Sequence, residues 1–250
     1  MPPPRFRHYV GIDLAWGSRN RTGLAVVDDT GRLVASGSAR SDEDIDTWLA
    51  GYAPEPAVVG VDAPLVVPNE TGQRRAEWLV GQAYGRFAAG TYPSNRSNPL
   101  FDPPRGAVLA ERHDWTCDPD DRSGPTQCLE VYPHAALIGL FELPERILYK
   151  KGTNRQPGFA LLAQCLESVP ELALTESARW AEMRAMIDEP RPGDLTRIED
   201  EIDAVVCAHV AWLWHHRPQA LQVYGTFADG YVVAPPPPTH APGPITRVRR

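Results

Sequence analysis

The stretch Tyr9-Val10-Gly11-Ile12-Asp13-Leu14-Ala15-Trp16 decides how the rest of the chain is read. Val10, Ile12 and Leu14 alternate with Gly11, Asp13 and Ala15, the two-residue period of a strand. Asp13 interrupts this apolar run with a charge, and burying a charge without a partner is costly. Working outward, the polar turn at residues 17–21 leads to a second strand over 23–28. A turn at Asp29-Thr30-Gly31 then leads to a third strand over 33–39. Two short turns between three strands predict an antiparallel meander.

Ser41 next offers a cap to a helix whose first residues, Asp42, Glu43 and Asp44, suit the positive end of a helix dipole. Ile45, Trp48 and Leu49 form its apolar stripe. Residues 57–61 read as a short strand, ended by Asp62-Ala63-Pro64. A helix between the third and fourth strands implies a crossover. Further along, residues 74–87 read as helix, 91–105 as a long loop and 128–132 as a fifth strand. Pro133 opens a helix over 135–140, and further helices are expected over 159–167 and 176–186. The strongest helical pattern covers 198–215, with Ile202, Val205, Val206, His209 and Leu213 on one face and alanines that permit close approach to a sheet.

This order predicts a ribonuclease-H-like α/β fold: a mixed five-stranded sheet, three antiparallel strands followed by parallel ones, flanked by helices. First and fourth strands are then parallel neighbours, which brings Asp13 and Asp62 to one end of the sheet. The late helix carries Glu199-Asp200-Glu201-Ile202-Asp203. Asp200 and Asp203 are three apart, and Glu199 and Asp203 four apart, so each pair shares a helical face. Carboxylates gathered from distant positions suit Mg²⁺ or Mn²⁺, and two such ions roughly 3.5–4 Å apart can clamp the attacking and leaving oxygens of a phosphodiester. The four metal-ligand and catalytic candidates are therefore Asp13, Asp62, Asp200 and Asp203. Taken singly, each acid also fits a plain role as a turn or helix cap.

Four further candidates accompany them. Glu130, on the fifth strand, is either a further ligand or structural, and His134 is a candidate general acid or phosphate donor. Lys150 and Lys151, with Asn154 and Arg155, form a basic cluster for phosphates, to which Arg74, Arg75, Arg96 and Arg105 add. No phosphate-binding Gly-x-x-x-x-Gly-Lys and no Gly-x-Ser-x-Gly elbow occurs.

Composition sets the bounds. The chain has 250 residues, 42% hydrophobic and 23% charged, with a formal net charge of −7. That balance counts against a generally basic nucleic-acid coat, so a nucleic-acid partner requires a local basic patch helped by metal. Cys117, Cys128, Cys165 and Cys207 match no zinc spacing and read as reduced thiols of a cytoplasmic protein. The start, Met1-Pro2-Pro3-Pro4-Arg5, lacks the apolar core of a secretion signal, and no run suits a membrane span. The expected organisation is an N-terminal extension over 1–8, the domain with its insertions over 9–233, and a proline-rich tail over 234–250. That tail is expected to be extended or disordered, and dispensable for folding, because proline lacks the donor a central strand needs.

Several stretches together resemble the family known as domain of unknown function 429, described as a predicted ribonuclease-H-like nuclease. They are Val10 to Trp16, Gly60-Val61-Asp62-Ala63-Pro64-Leu65, Arg105-Gly106, Glu130-Val131-Tyr132-Pro133-His134, Tyr149-Lys150-Lys151-Gly152 and Asp200 to Ala208. The late helix is also similar to that of Holliday-junction resolvases, where paired helix acids bind metal. The resemblance implies metal roles for Asp13, Asp62, Asp200 and Asp203. The expected function is a divalent-metal-dependent nuclease or related phosphoesterase acting on nucleic acid. The alternatives are an actin-like or sugar-kinase-like phosphotransferase, which usually needs two such domains, and a non-catalytic binding domain of the same fold.

Overall fold

The run around Asp13 forms β1 (His8–Asp13), the middle strand of the principal sheet. A computed structural model of the chain describes residues 7–17 and 20–243. The remainder of the meander is β2 (Thr22–Asp28) and β3 (Leu33–Ala39), paired antiparallel to β1 and to each other in turn. On the other side of β1 lie β4 (Val58–Val61) and β5 (Gln127–Glu130), both parallel. The sheet order is therefore β3-β2-β1-β4-β5, the mixed five-stranded α/β arrangement the element order predicts.

The crossover helix, α1 (Asp42–Tyr52), begins with a capping box. Asp44 N–H donates to Ser41 Oγ, while the Asp44 carboxylate accepts from Ser41 N–H. Its Trp48 ring packs over Gly37 of β3. Next come α2 (Arg75–Tyr84), α3 (Arg105–Arg112) and α4 (Pro133–Phe141), the last with proline at its first turn. Three more helices follow: α5 (Arg155–Glu167), α6 (Ala178–Asp188) and α7 (Asp194–His216).

α7 positions the site. At 23 residues it is about 35 Å long, and every residue from Glu201 to Trp214 is buried. It packs on β1, β2 and β4 at backbone distance because the strands present glycine there. A Cβ on Gly11 would stand 1.9 Å from Ala204 O and 2.3 Å from Ala208 N, and one on Gly23 would stand 1.8 Å from Asp200 O. Gly60, paired with Gly11 across the sheet, meets Cys207 O in the same way. Gly37 pairs with Leu24, the neighbour of Gly23, so α1 covers the face opposite α7.

After α7 the chain forms a hairpin, β6 (Gln222–Thr226) with β7 (Gly230–Ala234). It packs against α2 through Tyr224, whose hydroxyl meets that of Tyr84 at 3.0 Å. A parallel bridge between Val131 and Val233 ties it to the chain leaving β5. Residues 235–243 then lie against the domain rather than clear of it. Arg86 donates to Pro238 O at 2.8 Å, a His240 ring nitrogen meets Glu142 O at 2.9 Å, and Gly243 N–H donates to Pro144 O at 2.9 Å. Prolines offer no donors, but Pro238 accepts through its carbonyl, and His240 and Gly243 supply the other two contacts. The N-terminal extension and the basic end of the tail lie largely outside the described residues. Among the described residues no helix is long and apolar enough to cross a membrane.

Candidate functional site

Strand pairing alone puts two acids together. β1 and β4 run parallel, Ile12 is in register with Val61, and Asp62 N–H donates to Ile12 O at 2.8 Å. Asp13 and Asp62 therefore stand side by side at the carboxyl ends of adjacent parallel strands, the usual place for ligands in open α/β sheets. Asp13 is also in register with Gly23, the glycine on which α7 rests at Asp200. The same contact that seats the helix thus brings its acids over the strand ends.

The helix sorts its acids by face. Asp200 and Glu199 line the cleft. Asp203 is fully buried, with Oδ1 accepting from the Tyr149 hydroxyl at 2.6 Å and Oδ2 lying 2.7 Å from the Lys150 ammonium. The ammonium approaches Oδ2 off the direction a hydrogen bond needs, so the pairing is one of charge. Glu201 points away, accepting from Ser36 and Arg179.

Burial and crowding push these carboxyls upward. Asp13 is held well above the usual carboxylate range by burial first, then by Asp62 and Asp203, with Lys150 pulling the other way. Asp62 is pushed up to about 7, mainly by burial, with Lys150 lowering it and Asp203 and Glu130 raising it. Asp200 rises to about 6 through burial, Asp203 and Glu199. Burial pulls Lys150 down, but Asp203, Asp13 and Asp62 together outweigh it and keep it charged. Asp13 Oδ2 is buried with no hydrogen-bond partner. Among the described residues, no three His, Cys, Asp or Glu side chains enclose a metal as they stand. The Lys150 ammonium is the cation now among them.

Other predicted residues fall in different places. Glu130 is buried and engaged: Arg74 forks onto both its oxygens at 2.9 and 2.6 Å, and Leu65 N–H adds a bond at 2.9 Å. It braces the chain just beyond Asp62. His134 lines the cleft, but burial pushes its pKa down to about 3, so it is neutral near pH 7, with Nδ1 unpartnered. Lys151 is exposed on the cleft wall.

The additional arginines do not join the basic cluster. Arg74 is buried on Glu130 and Glu77, and Arg96 pairs with Glu70 and Asp102; of the expected cluster itself, Arg155 is taken up by Glu199. Arg75 lies over Trp78. Arg105 pairs with Asp42 and donates to Ala15 O at 2.7 Å, which fixes the loop leaving Asp13. Gly106 beside it lets that helix start close to Pro64 O. The basic side chains that do line the cleft, besides the two lysines, are Arg21, Arg40, Arg146 and Arg197. No local pattern marks them, because Arg21, Arg40 and Arg146 come from three separate connections and Arg197 from the first turn of α7.

The cleft above the acids encloses about 1040 Å³. Residues 11–228 match the model of the family described as Protein of unknown function (DUF429). The chain belongs to that family. All eight site candidates lie within the span that matches DUF429, as do the glycines that seat α7. Among curated proteins, none matches the chain.

Proposed function

We propose that the protein is a divalent-metal-dependent hydrolase of phosphodiester bonds acting on nucleic acid, with Mg²⁺ or Mn²⁺ as its cofactor. The observation that carries this reading is the gathering of Asp13, Asp62 and Asp200 at the floor of an open cleft, with Asp203 buried close behind them and Asp13 Oδ2 buried and unpartnered. Buried polar atoms are nearly always satisfied, so an orphaned carboxylate oxygen among other acids favours a cation. The donors are all hard oxygens, which suits Mg²⁺ or Mn²⁺ rather than softer metals.

Asp13, Asp62 and Asp200 would hold the ion. Asp203 has both oxygens engaged by Tyr149 and Lys150, so it orders the site from behind. The bound ion would supply Lewis-acid stabilisation of charge on the phosphoryl oxygens. Lys150, anchored on Asp203, adds a fixed positive charge where those oxygens accumulate negative charge. His134 is neutral at neutral pH and adds no positive charge to the site.

The test uses purified protein with single strands, duplexes, hybrids and branched DNA, in Mg²⁺, Mn²⁺ or chelator. Metal-dependent cleavage that disappears in Asp13→Asn is the expected result. If no substrate is cut with either metal while ATP is hydrolysed, the phosphotransferase reading replaces this one.

A further inference from the structure

The walls of the cleft differ from its floor and from the rest of the surface. The chain carries a formal net charge of −7, yet Arg21, Arg40, Arg146, Lys151 and Arg197 line this cavity. Of these, only Arg197 has a carboxylate partner among the described residues, Asp194 at 3.5 Å. Lining the same cleft are large apolar side chains that folding leaves in solvent. Tyr92 is 79% exposed, Trp16 52% and Leu148 42%. Trp16 follows Asp13 by three residues, and Phe101 supports its ring at 5.4 Å in an edge-to-face contact. Its backbone neighbour Ala15 is pinned by Thr22 and Arg105. The ring is thus held in place without being covered.

Cations mostly without carboxylate partners, in one cleft with exposed aromatic faces, are the combination that binds an unpaired nucleic-acid strand. The cations follow the phosphates and the rings stack on bases. A duplex keeps its bases stacked inside and offers such rings nothing. At about 1040 Å³ the cleft also reaches the upper end of the roughly 300–1,000 Å³ typical of small-molecule pockets.

We propose that this cleft binds unpaired DNA or RNA, stacking bases on Trp16 and Tyr92 while the basic walls hold the backbone and a phosphate is presented to the acids. The proposal rests on the phosphodiesterase reading for its chemistry but not for its binding. The experiment separates the two.

Fluorescence anisotropy of a labelled 20-nucleotide oligo-dT strand, and of the same length of blunt duplex, is measured in chelator, where no cleavage intervenes. The strand is expected to bind at least about tenfold more tightly than the duplex. Trp16→Ala and Tyr92→Ala are each expected to weaken it by roughly 5- to 150-fold, the range that about 1–3 kcal/mol per stacked base implies. Arg40→Ala with Lys151→Ala is expected to weaken binding and flatten its salt dependence. Both rings are exposed, and melting curves of the two variants check that the fold is retained. Equal affinity for duplex and strand overturns the proposal, as does binding indifferent to both aromatic substitutions. Cleavage of a small phosphodiester such as bis-p-nitrophenyl phosphate without strand binding also overturns it, while leaving the hydrolase reading intact. Strand binding without any cleavage upholds this proposal and removes the hydrolase reading.

Discussion

Asp13 and Asp203 are the same residue type in the same cluster, yet the structure gives them opposite energetic roles. Asp13 Oδ2 has neither a hydrogen-bond partner nor an ion pair among the described residues, whereas Asp203 accepts from Tyr149 and pairs by charge with Lys150. Without metal, Asp13→Asn removes a repelled charge and is expected to stabilise the protein by about 1 kcal/mol. Asp203→Asn weakens a charge-assisted bond and strands Lys150, with an expected loss of about 1.5–3 kcal/mol. Thermal melts in chelator measure both, and a loss of stability in Asp13→Asn would count against the crowded-acid picture. Titration gives a second check. Asp62 is raised to about 7 and Asp200 to about 6, against unfolded values near 3.8. Between about pH 4 and 7 the folded state therefore holds protons that the unfolded state has lost. Stability from these groups is complete below the unfolded value and declines as pH rises through the folded ones. The apo protein should melt at lower temperature at pH 7.5 than at pH 5.5, and Asp62→Asn should shrink that difference. An unchanged difference in the variant would remove Asp62 as a cause.

At the scale of elements, legibility followed periodicity. β1, β3, α1 and α7 have strong patterns and sit where those patterns place them, to within a few residues. The α7 acids could be paired by spacing alone because a helix fixes which residues share a face. The hairpin of β6 and β7 was not legible: β7 is buried at all five positions, so it lacks alternation, and prolines follow it directly. Nor was the fate of Glu130 and Arg74, since a buried ion pair 56 residues apart leaves no local pattern. Cleft residues such as Arg40, Tyr92 and Arg146 lie between regular elements, where sequence carries no period to read. What joins helix to sheet is visible only in three dimensions, and Gly11 tests it. Over-packing costs typically about 1–3 kcal/mol, and here the obstacle is helix backbone that cannot rotate aside. Gly11→Ala should lower the melting temperature by roughly 2–12 °C, taking about 2–4 °C per kcal/mol for a chain of this size. Gly81→Ala, with open space around it, is the control and should not. Equal melting of the two variants would mean that α7 does not rest on β1 as described.

For the whole molecule, the arrangement of charge matters more than its sum. A protein of net charge −7 gathers acids at the bottom of a cleft and cations along its walls, and one of those cations, Lys150, reaches down to the acids. Like charges in a partly buried place raise the energy of the folded state, and Lys150 offsets part of that cost. It is therefore an internal counter-ion, and a divalent metal would enter the same field. Replacing it by Gln keeps a side chain of moderate length and removes the charge. In chelator, Lys150→Gln should melt below wild type, because Asp203 loses its ion pair and the other acids lose their nearest positive charge. In Mn²⁺ the gap to wild type should narrow. A ligand that binds only the native state stabilises it by RT ln(1 + [L]/Kd), so a tighter Kd gives a larger shift at fixed metal concentration. With the competing ammonium gone, the Mn²⁺-induced shift should exceed that of wild type and recover part of the chelator loss. Lys151→Gln, on the cleft wall, should leave the apo melt nearly unchanged and the metal shift close to wild type. If Lys150→Gln lowers both the apo melt and the metal shift, the lysine serves to build the metal site rather than to stand in for it.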